Sequence, residues 1–251
     1  MNATAIDATS RPGGTIRVLI WDLPVRVFHW ALVVSFAGAY WLSETERLRN
    51  IHVMFGYTVL GLVAFRLIWG FVGTRYARFR SFLFSPREAA AYVRSLFRRS
   101  DPRFLGHNPA GSIAIWAILG VAALTGMTGY ATYNEIGGDA VEEVHEILAN
   151  GWLWLVGIHV AGVMVGSLLH RENLVGAMIT GYKRAEASAG VRGTFAAIVG
   201  VALLSGVLGY WALSLGGGTP AEASAVPEPA TNDWSQPAAP TTLAAHNDIG
   251  D

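Results

Sequence analysis

The side chains whose type and spacing suggest chemistry in this sequence are histidines. Imidazole is the commonest metal ligand among side chains, and there is no cysteine to compete with it. Two histidines, His145 and His159, lie 14 positions apart in the stretch EVHEILANGWLWLVGIHVAGVMVGSLLHREN, Glu143 to Asn173. Its apolar pattern is that of one continuous helix. Fourteen residues are close to four whole turns and about 21 Å of rise, so both rings leave the same face. Such a helix could hold two metal centres, one above the other, through much of a bilayer's ~30 Å apolar core.

The composition supports a membrane setting. Over 251 residues, 52% are hydrophobic and only 14% charged, which reads as a membrane protein rather than two soluble domains. The absence of cysteine excludes disulfides, thiolate-bound iron–sulfur clusters and covalently attached c-type haem. Formal net charge is zero, and no nucleic-acid partner is expected.

Five apolar runs follow in order. Residues 1–24 form a polar lead-in without the apolar core of a signal peptide. The spans expected are Val25 to Leu42, where Pro24 suits a helix start, Ile51 to Val72, Gly111 to Tyr133, Leu148 to Leu169, and Thr194 to Leu215. Between the second and third, residues 73–110 carry eight arginines against two acids. There, Ser85-Pro86-Arg87-Glu88 has the pattern of a capping box, and Ala89, Tyr92, Val93, Leu96 and Phe97 share one face. This suggests either a helix lying on the membrane surface or a solvated linker helix. An acidic loop precedes the fourth span, with Glu135, Asp139, Glu142, Glu143 and Glu146. Residues 216–251 are rich in Ala, Pro and Thr and without Lys or Arg, a composition expected to be disordered.

Basic residues flanking spans stay in the cytoplasm. With the N-terminus inside, the cytoplasmic side receives Arg11, Arg17, Arg26, the eight arginines after span two, Arg171, Lys183, Arg184 and Arg192, and the outer side only Arg47 and Arg49. The expected topology is N-terminus in and C-terminus out, in a bacterial inner membrane.

That topology fixes the depth of each histidine. His52 and His145 lie at the outer level, His29 and His159 at the inner. Two facing imidazoles at one depth are what a six-coordinate haem iron requires, whereas zinc and copper sites gather three or four ligands at one level. Two non-covalent haems, stacked across the bilayer, are therefore expected. The alternative is four satisfied polar residues bridging helices. Arg66 lies 14 residues after His52 and so is level with His29 and His159. It either pairs with a haem propionate or snorkels to the inner interface. His107, Asn108, His170 and Arg171 gather at the cytoplasmic face, where they could hold propionates or a quinone headgroup, or simply cap the surface. Gly56, Gly162 and Gly166 admit either a flat macrocycle or close helix packing. Trp21, Trp30, Trp41, Trp152, Trp154 and Trp211 are read as interfacial anchors.

Several ordered motifs resemble one family. Val27-Phe28-His29-Trp30, Asn50-Ile51-His52-Val53, Val144-His145-Glu146 and Gly157-Ile158-His159 resemble the bacterial cytochrome b561 and nickel-hydrogenase b-type cytochrome family. The run from Arg66 to Arg75, Gly106-His107-Asn108-Pro109-Ala110-Gly111 and His170-Arg171-Glu172-Asn173 are similar to the hydrogenase branch. The likeness spans about residues 15–184. It implies an all-α integral membrane four-helix bundle, here at residues 25–184, binding two b-type haems through His29, His52, His145 and His159. The fifth helix and the tail are additions to the minimal pattern. It further implies electron transfer between membrane quinone and a periplasmic partner, a hydrogenase or a c-type cytochrome. The rival readings are a stand-alone quinone or superoxide oxidoreductase and a haem-free membrane anchor.

Overall fold

The computed structural model describes residues 15–97, 104–191 and 193–216. The first fourteen residues of the lead-in, the arginines at 98, 99, 103 and 192, and the expected acidic tail from residue 217 lie outside the described residues. Five helices are long and apolar enough to cross a membrane: α1 (Leu23–Leu42), α2 (Arg49–Val72), α4 (Pro109–Tyr133), α5 (Gly138–His170) and α7 (Thr194–Gly216). Shorter helices α3 (Pro86–Phe97) and α6 (Leu174–Thr180) lie between them.

Side-chain caps place the helix starts. The Asp22 carboxylate accepts from Val25 N at 2.9 Å, and Pro24 sits in the first turn of α1. Asn108 does the same for α4, its Oδ1 accepting from Gly111 N at 2.7 Å ahead of Pro109. These groups satisfy amide donors that the first turn of a helix leaves without partners. At α3 the capping box forms as expected. Ser85 N donates to the Glu88 carboxylate at 2.6 Å, and Glu88 N donates to Ser85 Oγ at 3.3 Å. Those bonds hold the Glu88 carboxyl below its ordinary range.

The fourth span begins earlier than the hydropathy suggests. Glu135, Gly137 and Gly138 adopt positive φ and close the connection from α4 within a few residues. Asp139, Glu142, Glu143 and Glu146 thus stand on the first turns of α5 rather than in a loop. Carboxylates are favoured there, at the positive end of the helix dipole.

The lead-in also differs from expectation. Ile16–Leu19 forms strand β1, which pairs antiparallel with β2 (Tyr182–Ala185), Ile16 opposite Ala185 and Leu19 opposite Tyr182. Trp21 N and Ile20 N then donate to the Gly181 carbonyl. Gly181 ends α6 with φ 87°, a conformation only glycine adopts at no steric cost. Val18, Ile20, Trp21 and Val25 pack with Trp69, Tyr76, Ala177 and Ala196 into a core that closes one end of the bundle.

Among the long helices, α1 lies along α2, α2 against α4, and α4 along α5. α7 packs on α2 through Trp211, whose Nε1 donates to Thr58 Oγ1 at 2.9 Å, and through Leu203 and Val207. Leu168, Ile158 and Val160 on α5, and Leu213, Ile198 and Val201 on α7, stay exposed. Such continuous apolar faces suit lipid and would be a liability in water. Arg87 and Arg94 of α3 are exposed beside Leu83 and Val93, the mixture expected of a helix at a membrane surface.

Candidate cofactor site

The outer-level histidines face one another across the bundle. His52 stands in the first turn of α2 and His145 in the third turn of α5, with ring centroids 6.3 Å apart and planes crossing at 85°. Each ring is oriented by a backbone carbonyl on a further helix. His52 Nδ1 lies 2.8 Å from the Ala39 carbonyl of α1, and His145 Nδ1 lies 3.0 Å from the Thr125 carbonyl of α4. A carbonyl can only accept, so each Nδ1 carries a proton, and in the neutral imidazole each Nε2 then keeps its lone pair. That tautomer, with its N–H tied to a carbonyl, is how metal-binding histidines are usually held.

The spacing also fits a metal between the two rings. A metal–imidazole bond of about 2 Å, plus ~1.1 Å from nitrogen to ring centroid, puts two opposed centroids about 6 Å apart. Gly129 makes room for this arrangement, because a Cβ there would meet the His145 ring at 2.8 Å. Among the described residues no three His, Cys, Asp or Glu side chains converge on one point. The donor set at this level is two imidazoles.

His29 of α1 and His159 of α5 lie within electrostatic reach of each other. His29 packs edge-on against Trp30 at 5.1 Å, and its Nδ1 is buried without a hydrogen-bond partner. A polar atom left so in an apolar span is costly, and a metal or a polar cofactor group would answer it. Cβ atoms built at Gly56 and Gly162 meet nothing within 4 Å. Gly166 instead faces Leu174 of α6 at 3.3 Å and serves close packing.

α5 is tied to α1 by side chains, Phe36 with Trp152 at 4.4 Å and Tyr40 Oη to Asn150 Oδ1 at 3.0 Å. Trp152 is 3% exposed and lies seven residues from both His145 and His159. Seven residues are about two turns, so it stands midway between the two histidine levels on the same face of α5. The interfacial role expected of Trp152 is therefore corrected. Trp21 is likewise buried, against His107 at 4.6 Å. Trp41 and Trp154, at 83% and 75% exposure, fit the anchoring role.

Arg66 is buried rather than snorkelling. It is 3% exposed, with its guanidinium over Phe79 and Phe82, 4.9 and 5.7 Å from the ring centroids. Its Nη1 has no hydrogen-bond partner. The loop after α2 brings those rings back because Gly70 leaves space for Phe79. His107 sits between Trp21 and Phe82, within electrostatic reach of Arg66, Lys183 and His159. Burial first, and those neighbours second, push its pKa down to about 3, so the ring is neutral.

The remaining expected residues separate from that cluster. His170 Nε2 meets Tyr92 Oη of α3 at 3.2 Å. Arg171 ends α5 in a left-handed conformation, φ 51°, with its side chain exposed. Asn108 is occupied as the cap of α4.

Sequence reasoning missed Asp22, at 1% exposure. Besides capping α1, its carboxylate accepts from Trp69 Nε1 at 3.1 Å and Thr74 Oγ1 at 2.6 Å. The available signal was an aspartate two residues ahead of Pro24, the residue on which the helix start was read.

Comparison with known proteins agrees with this architecture. The family model of prokaryotic cytochrome b561 matches residues 20–181, a range that holds all four span histidines, Asp22, Arg66 and His107. A probable Ni/Fe-hydrogenase B-type cytochrome subunit of Azotobacter vinelandii is 23% identical over 214 residues, covering 66% of this chain and 88% of that one. A probable Ni/Fe-hydrogenase 1 B-type cytochrome subunit of Escherichia coli K12 is 22% identical over 214 residues, covering 65% and 89%. No solved structure matches the chain. The family match spans more than half of the sequence and takes in the helices that carry the histidines: this chain belongs to the prokaryotic cytochrome b561 family, as a multi-pass membrane b-type cytochrome that carries haem b and serves electron transfer.

Proposed function

We propose that the chain binds two haems, one between His52 and His145 and one between His29 and His159, and passes electrons across the inner membrane between quinone and a periplasmic redox partner. The observation that carries this reading is the outer pair, two imidazoles from different helices at metal-bridging distance, each with Nδ1 held by a carbonyl. The four-turn spacing of His145 and His159 on one helix then extends it to a second level. Bound haem supplies the one-electron chemistry. The protein's residues bind and orient it. His52 and His145 present Nε2 lone pairs, and Ala39 and Thr125 fix the ring planes. Arg66 offers a buried, unpaired N–H to a propionate, with neutral His107 beside it. The apolar helices exclude water from the path. Because the relatives are named as hydrogenase B-type cytochrome subunits, a hydrogenase is the favoured partner, with a c-type cytochrome as the other.

Proteoliposomes test the function directly. With ferricyanide trapped inside and an impermeant one-electron donor outside, the wild-type protein is expected to bleach the ferricyanide, and the His52→Ala variant to lose that acceleration. Equal rates in both would contradict the transmembrane path. Gly129→Val is expected to push the His145 ring off the Thr125 carbonyl and to lower outer-haem occupancy while the inner haem stays. An unchanged haem count in that variant would count against the proposed role of the pair.

Orientation has its own test, made clean by the absence of native cysteine. Arg47→Cys is expected to react with an impermeant maleimide in intact spheroplasts, and Arg87→Cys only after permeabilisation. The reverse pattern would invert the topology.

A further inference from the structure

The buried carboxylate of Asp22 has a use beyond capping α1. It lies at the cytoplasmic end of the bundle on the proposed topology, 1% exposed, and within electrostatic reach of the equally buried Arg66. Its three donors come from three places: Val25 of α1, Trp69 of α2 and Thr74 of the following loop. All three are neutral, so they hold the carboxylate in position without cancelling its charge. Among the described residues Arg66 has no carboxylate within ion-pair distance; its guanidinium rests on Phe79 and Phe82. One fixed anion and one fixed cation therefore stand apart in a low-dielectric region, where each acts at long range. Asp22 caps α1 seven residues before His29 on the same helix, about two turns and ~10 Å along its axis, which sets this charge couple close to the inner histidine level.

We propose that Asp22 is a positioning residue for electron transfer, the fixed negative charge that sets the redox potential of the inner haem against the positive charge of Arg66. This rests on the two-haem reading above. The sign follows from charge alone. The oxidised iron site carries one more positive charge than the reduced one, so an anion nearby favours the oxidised state and lowers the potential. Arg66 opposes it.

Redox titration of the full-length, haem-loaded protein in nanodiscs, followed at the separate absorbance bands of the two haems, tests this. Asp22→Asn removes the charge and, with its one amide oxygen, keeps the cap on Val25, while its NH2 takes the place of the oxygen that accepts from Trp69 and Thr74. Trp69→Phe and Thr74→Val remove those two bonds and keep the charge; on a purely structural role they would move the inner potential as Asp22→Asn does, and on the charge role they leave it near wild type. The expected result for Asp22→Asn is a positive shift of the inner potential alone. Its size is on the order of a tenfold change in the oxidised-to-reduced ratio, as a unit charge ~10 Å away exerts through an effective dielectric near 20. Arg66→Gln should shift it negatively, and the double variant should return toward wild type. An inner potential unmoved in both single variants, or an equal shift at the outer haem, would overturn the assignment while leaving two haems in place. A wild-type preparation with fewer than two haems would overturn the two-haem reading and this assignment together.

Discussion

The His52→Ala variant is expected to carry one haem per chain instead of two. A haem held without covalent attachment depends on its axial ligands, and among the described residues two imidazoles stand at the outer level. His52 is set by the Ala39 carbonyl and His145 by the Thr125 carbonyl, so neither ring has a neighbour ready to take its place. His145→Ala should give the same loss, and His29→Ala or His159→Ala should remove the inner haem and keep the outer one. The two classes should differ in which absorbance band disappears. Retention of both haems in any of the four would contradict the pairing by depth. His52→Gln, which keeps a polar group but no imidazole, should behave as the alanine variant does.

Trp152→Ala should be the most destabilising single substitution among the apolar positions of α5. The indole is buried against Phe36 and packs with Val59, Val63 and Ala122, joining α1, α2, α4 and α5 between the two proposed sites. Truncating such a side chain leaves a large cavity, and losses of about 3–5 kcal/mol are usual for aromatic-to-alanine changes in cores. Thermal unfolding in detergent should show a clear fall in midpoint, and both haem sites should loosen. A midpoint equal to wild type would mean that α5 is held some other way. Trp152→Phe separates packing from hydrogen bonding. The indole Nε1 is buried without a protein partner, so loss of haem in the phenylalanine variant would identify that N–H as a donor to the cofactor.

How much of this could be read from sequence depended on the range of the signal. Helix spans are written in local runs of apolar residues, and α1, α2, α4 and α7 begin and end within two residues of the ranges the hydropathy gives. The capping box at Ser85 and Glu88 is equally local. That His52 and His145 come to face one another was legible because a membrane turns residue number into depth. The early start of α5 was not, since a run of acids suggests a loop until the dipole of a helix start is weighed against it. Strands β1 and β2 were out of reach. Each is four residues long, and they pair across more than 160 positions, with no pattern stronger than that of a polar linker. The same limit hid Asp22. Its neighbours Trp69 and Thr74 are far away in sequence, and only the folded chain shows that a helix cap is also a buried charge. Trp152 was misread for a related reason, because hydropathy marks a tryptophan near a span end as an anchor and cannot see Phe36 across the bundle.

On the proposed function this chain holds two haems, each between two histidines at one depth. That is tested most directly by a dithionite-reduced minus oxidised absorbance spectrum of the purified protein with a pyridine haemochrome count per chain. The expected result is b-type bands and two haems per chain. A colourless preparation, or one that saturates at a single haem, would contradict it.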